Sequence, residues 1–181
     1  MYVSMLTDGE ISYAAAVIAS LDPAWLTQGT NKAWVNSLIR DYANPVQDDP
    51  YYPFSRMFDW YHGHSWAHGL FETADGKDQE SSSEDTMAAY ALKMWGYATG
   101  DANTEARGNL MLAVQARSLA SYYLLASDNT VEPAQFIPNK VGGIVSHHLT
   151  PHHSPQTNPP FHRCSRTKST TQPTSATKSR T

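Results

Sequence analysis

Sulfur chemistry is nearly absent from this chain, whose single cysteine is Cys164. No disulfide can form within the chain, and no cysteine-based zinc site can be assembled from it. Charge is scarce as well. Charged residues make up 17% of the sequence, against about 25% in an average soluble domain. Negative charge stops altogether after Glu132, and the stretch from Val141 to Thr181 carries only Arg163, Arg166, Lys168, Lys178 and Arg180. Five cations so widely spread do not make the dense basic patch that a nucleic acid or an anionic membrane would require. No run of about eighteen apolar residues occurs, so no membrane span is expected. The opening MYVSMLTDGE has neither the basic start nor the apolar stretch of a secretory signal peptide.

What is present is aromatic. Phe, Trp and Tyr make up 11% of the 181 residues, enough chain for one domain with a true core. Many aromatics with few charges fit a protein that handles a neutral, flat-faced ligand such as a sugar, and fit a large buried core equally well.

The pattern from about residue 10 to 140 is helical. Ile11 to Leu21 is alanine-rich and apolar until Asp22-Pro23. Trp34, Leu38, Ile39 and Tyr42 fall on one face of a helix expected over about Asn31–Tyr42. A third helix is expected from about Ser82. Ser81 and Glu84 form a capping-box pattern, the stripe Met87, Tyr90, Ala91, Met94 and Trp95 follows, and Gly96 and Gly100 close it. Asp101 or Asn103 then caps a helix to about Leu125, with Leu112, Ala113, Ala116, Leu119, Ala120 and Tyr123 as its buried face. Between the second and third helices lies a proline- and glycine-broken segment loaded with aromatics and acids. Connections of that length are usually functional or disordered, and its aromatic density argues against disorder. After Val141 the text turns to His147, His148, His152 and His153 among Thr, Pro and Ser, and a disordered tail is expected.

Chemistry concentrates in two places. The first is DGKDQESSSED, with Asp75, Asp78, Glu80, Glu84 and Asp85. Glu80 and Glu84 are four apart and project from one face if helical. Neighbouring carboxylates couple, so that one titrates high, as a general acid or base requires. Ser and Glu at a helix start are also ordinary caps. The second is FDWYHGHSWAHG, Phe58 to Gly69. Trp60, Tyr61 and Trp66 offer flat faces to pyranose rings, or pack as core. Asp59, His62, His64 and His68 can bond hydroxyls. His64 and His68 have a spacing that suits zinc, but no third ligand is evident, so neither a metal nor a cofactor is expected.

These two motifs resemble glycoside hydrolase family 81, whose members carry FDWYxGHSWAxGLF, DGKDxESSSE and GDxxxExxGNLMLA. QFIPNKV (Gln135 to Val141) and YAAAVIASLDPAW (Tyr13 to Trp25) look like the same family. The resemblance covers roughly residues 10–141. It implies an all-α fold, part of an (α/α)6 barrel, and inverting endo-hydrolysis of β-1,3-glucan. It implies that Glu80 and Glu84 match the catalytic glutamates, with Asp59, Trp60, Tyr61, His64, Trp66, Asp75 and Asp78 in the sugar site. It also implies a secreted or cell-wall location. Two departures stand out, one ahead of the alanine-rich helix and one after Lys140-Val141, where the resemblance gives way to a His-, Pro-, Ser- and Thr-rich stretch. Where the family carries a general-acid aspartate ahead of the alanine-rich helix, this chain has Val3, so impaired hydrolysis is expected, with a non-catalytic glucan-binding remnant as the alternative. The organisation read is a divergent stretch over 1–9, the partial catalytic domain over 10–141 and a non-family tail over 142–181.

Overall fold

In the computed structural model the described residues are 2–70, 79 and 81–142, with side chains from Asp8 onward. Among them the fold is mostly helical. Helix α1 spans Tyr2–Leu21 and is followed by a 3-10 turn over Pro23–Thr27. Helix α2 is Asn31–Ala43, α3 is Ser82–Thr99 and α4 is Ala102–Ser118. A five-residue π turn, Leu119–Tyr123, prolongs α4, and a short 3-10 turn forms at Ile137–Asn139. One antiparallel hairpin interrupts the helices, pairing β1 (Phe58–Asp59) with β2 (His64–Ser65) in the register Phe58 to Ser65 and Asp59 to His64.

The punctuation works as local chemistry dictates. Asp22 accepts a hydrogen bond from the Ala24 amide and starts the turn that ends α1. Ser81 caps α3 by accepting from the Glu84 amide at 3.4 Å, which satisfies one of the unpaired amides of a helix start. Gly100 closes α3 in the left-handed conformation, φ 70°, which a glycine adopts without steric penalty. Asp101 caps α4 through Asn103 and Thr104.

Helix α3 is central, packing on α1 on one side and α4 on the other. Both seams are built from small residues. Ala15, Ala16 and Ala19 of α1 are buried, as are Ala88, Ala89 and Ala91 of α3. Trp95, fully buried, fills the middle of the core, and its indole N–H donates to Asn36 of α2 at 2.8 Å. Tyr42 reaches from α2 to the Ala88 carbonyl at 3.4 Å.

Several expected faces are rotated. On α2 the buried residues are Val35, Ile39, Tyr42 and Ala43, while Trp34 stands half in solvent. On α3, Ala91 and Trp95 are buried as expected, but Met87 and Tyr90 are exposed and Leu92 takes their place. Gly96 does not end α3. It lies inside the helix, where α4 crosses it. On α4 the buried line is Thr104, Gly108, Met111, Gln115 and Ser118, one position out of step with the expected face. The helix expected from Ile11 begins at Tyr2.

Candidate functional site

The long segment between α2 and α3 is tethered at its start and folded back at its middle. Asn44, buried, donates to the carbonyl of Tyr52 at 2.7 Å and of Val46 at 3.2 Å. Arg56 is ion-paired with Asp41 of α2 at 2.7 Å. Met57 and Phe58 are fully buried, and each such side chain contributes roughly 1.5–3 kcal/mol. They root the hairpin in the core and leave its four-residue loop, Trp60 to Gly63, at the rim. Gly63 is required there on two counts. Its φ is +79°, and a Cβ would fall 2.9 Å from Val114 Cγ1 of α4.

Asp59 organises the rim. One carboxylate oxygen accepts from the backbone amides of Tyr61 at 2.9 Å and His62 at 3.2 Å. The other accepts from Trp66 Nε1 at 2.9 Å and pairs with His62 Nδ1 at 2.7 Å. Burial opposes ionisation of Asp59, but these donors, the Trp66 indole first, outweigh it and hold the carboxyl well below the usual carboxylate range. The Trp66 ring is thereby fixed edge-on to His62, with centroids 5.4 Å apart, and to His64, 4.6 Å apart.

His64 is buried at the centre of this cluster. Its Nδ1 faces the Ser65 carbonyl at 2.9 Å and its Nε2 lies 3.2 Å from the Tyr123 hydroxyl. A carbonyl only accepts, so in the neutral ring Nδ1 carries the proton and Nε2 accepts from Tyr123. Burial, then the charges of Asp85 and Glu132, holds the Tyr123 phenol above its ordinary pKa, which keeps it a donor. Tyr123 was expected as core of α4. The π turn instead swings it onto the hairpin, and helical spacing carries no signal for that.

Trp60 belongs elsewhere. Its indole donates to Ser55 at 2.9 Å and its ring stands edge-on to Phe58. It lines a largely apolar cleft of about 360 Å³ with Phe54, Arg107, Leu110 and Met111. Tyr61 is 91% exposed at the loop tip, beside His62. The sequence-derived sugar residues thus fall into two groups, with Asp59, His64 and Trp66 together and Trp60 on its own.

Glu84 is half-buried in the first turn of α3, where the helix start favours a carboxylate. The next residue, Asp85, is buried and accepts from both the Ser65 amide and the Ser65 hydroxyl, each at 2.7 Å. Burial raises the Asp85 pKa and the two Ser65 bonds offset part of that. Asp75, Asp78 and Glu80 lie outside the described residues, and with them the expected coupling of Glu80 to Glu84. His64 is engaged by Ser65 and Tyr123, and among the described residues no three His, Cys, Asp or Glu side chains gather as a metal-binding group. Among those residues no helix is long and apolar enough to cross a membrane.

Known proteins resemble this chain over most of its length. Residues 9–153 match the model of the glycosyl hydrolase family 81 C-terminal domain. A glucan endo-1,3-beta-D-glucosidase of Arthroderma benhamiae is 60% identical over 137 residues, 76% of this chain and 15% of that protein. The primary septum glucan endo-1,3-beta-D-glucosidase of Schizosaccharomyces pombe is 48% identical over 137 residues, 76% of this chain and 13% of that protein. A solved mutant of a family 81 glycoside hydrolase from Clostridium thermocellum superposes with a TM-score of 0.66 at 35% identity, covering 72% of this chain and 18% of that one. The chain therefore spans only a small part of the length of these relatives.

Proposed function

The chain belongs to glycoside hydrolase family 81, and from that membership we propose that it carries the base side of a site for endo-hydrolysis of β-1,3-glucan. The observation that carries this reading is the first turn of α3. It places Glu84 one residue from the carboxylate that holds Ser65, between His64 and Trp66. A carboxylate beside an aromatic and imidazole wall is the pairing that glycoside hydrolysis uses. The wall holds the sugar by stacking and hydroxyl bonds, and the carboxylate removes a proton from the attacking water. In this reading Glu80 and Glu84 are the catalytic pair on that side. Asp59, His64, Trp66, Tyr61 and Trp60, with Asp75 and Asp78, bind the glucan. The helices form part of an (α/α)6 barrel, and the location is secreted or cell-wall associated.

Inversion needs a second carboxyl across the sugar, about 6.5–9.5 Å away, to protonate the leaving oxygen. In the register of the family resemblance that position is Val3, which has no proton to give. Hydrolysis by this chain is therefore slow, because losing one member of an acid–base pair lowers the rate about 10²–10⁴-fold. Release of reducing ends from laminarin tests this. The parent chain is expected to be that much slower than a full-length family 81 enzyme, and Glu84→Gln to remove what remains. Equal rates for parent and Glu84→Gln would sink the assignment of the base side. A rate equal to that of the full-length enzyme would sink the role given to Val3.

A further inference from the structure

Asp85 is a buried carboxylate to which the proposed hydrolysis gives no proton to move. It stands at the fourth position of α3 and takes both hydrogen bonds that Ser65 can donate, from the amide and from Oγ, at 2.7 Å each. Ser65 is the last residue of β2. Its amide and hydroxyl would otherwise be buried donors, since Ser65 is 2% exposed, and buried donors without partners are strongly disfavoured. Glu84 precedes Asp85, and His64 and Trp66 flank Ser65. One side-chain carboxylate of α3 therefore joins the helix to the backbone and hydroxyl of β2, between His64 and Trp66.

We propose that Asp85 is a positioning residue of the glucan site, tying the α3 turn that carries Glu84 to the strand that carries His64 and Trp66 so that the two walls keep one separation. The proposal rests on the reading of Glu84 and Trp66 as site residues. Its geometry is independent of that reading. Charge-assisted bonds of this kind are about twice as strong as neutral ones, and a site loosened by about 1 Å loses much of its efficiency. The α4 side adds a second support, because Tyr123 holds the His64 ring from the opposite direction.

The test compares Asp85→Ala, which removes the acceptor, with Asp85→Asn, whose amide oxygen still accepts the Ser65 N–H and whose NH₂ can donate to Ser65 Oγ. Hydrogen exchange is followed by mass spectrometry in peptides covering 57–70 and 86–98, and laminarihexaose affinity is measured on the same chains. In Asp85→Ala, exchange over 57–70 is expected to rise roughly tenfold or more, with 86–98 unchanged, and affinity to fall by about the same factor. Asp85→Asn is expected to stay within about threefold of the parent in both. Unchanged exchange over 57–70 in Asp85→Ala overturns the tie. Faster exchange there with parental affinity overturns the positioning role. Loss of protection in both peptides, in Asp85→Asn as well, makes Asp85 a general stability residue and overturns it too. A parent chain without affinity for laminarihexaose would instead sink the glucanase reading, and the proposal with it.

Discussion

Between α3 and α4 the contact is backbone against backbone. A Cβ on Gly96 would lie 2.2 Å from the Glu105 amide nitrogen, and one on Gly108 would lie 2.5 Å from that of Lys93. Around the hairpin the contacts are between side chains, with Asp59 gathering Trp66, His62 and two amides, and Asp85 gathering Ser65. The helical seam depends on missing volume, its closest contacts being the backbones of Glu105 and Lys93. The hairpin depends on two carboxylates and has little backbone pairing, two residues per strand. The seam should therefore respond to added atoms, whereas the hairpin should respond to pH and to loss of its carboxylate acceptors.

The largest expected effect is at the seam. Gly96→Ala or Gly108→Ala forces the α3 and α4 backbones apart, since neither neighbour is a flexible side-chain tip. Overpacking of this kind costs about 1–3 kcal/mol and sometimes more, with helix propensity returning about 1 kcal/mol at most. Thermal melting followed by far-UV circular dichroism checks this, and a melting temperature at or above the parent's would show that the seam is looser than the distances state.

A smaller effect separates the two hairpin carboxylates by sign. The folded pKa of Asp59 is depressed, so its contribution is fully present above the unfolded value of about 3.9 and is lost as pH falls toward the folded one. The folded pKa of Asp85 is raised. Its ionisation therefore opposes folding, and the penalty develops as pH climbs through the unfolded value toward the folded one. Denaturant melts from pH 2 to 7 are expected to show a shallower acid loss in Asp59→Asn than in the parent. Asp85→Asn is expected to gain on the parent as pH rises above about 4. The same slope in all three chains would remove the distinction between rim and root.

How much of this was legible follows the same division. The caps at Ser81, Gly100 and Asp101 were readable because they depend on local bonding by one residue type. The helices themselves were readable from period. Their faces were not, because periodic reading follows large apolar residues, whereas these seams bury Gly, Ala, Ser and Thr and push Met87, Tyr90 and Trp34 outward. Tyr123 was misplaced because a π turn shifts register by a residue, and nothing in ASYYLL announces that. Strands of two residues have no alternation to detect. The motif FDWYHGHSWAHG marked the right segment, but composition could not tell that Trp60 and Trp66 part company. Asp85 was counted among the acids without a role, because its partner Ser65 lies twenty positions away and only folding brings them together.

Central to the proposed function is that Trp66, held by Asp59, binds β-1,3-glucan beside His64. Asp59→Asn tests it most directly. The change is isosteric, yet it turns an oxygen that faces two donors, Trp66 Nε1 and His62 Nδ1, into a donor or forces the amide to abandon the Tyr61 and His62 backbone. Calorimetric titration with laminarihexaose, with cellohexaose as the control, is expected to show binding of the β-1,3-linked sugar alone. Its affinity is expected to fall roughly tenfold or more in Asp59→Asn, the loss of one charge-assisted bond. Equal affinity of parent and Asp59→Asn for laminarihexaose, or equal affinity of the parent for both sugars, would contradict the account.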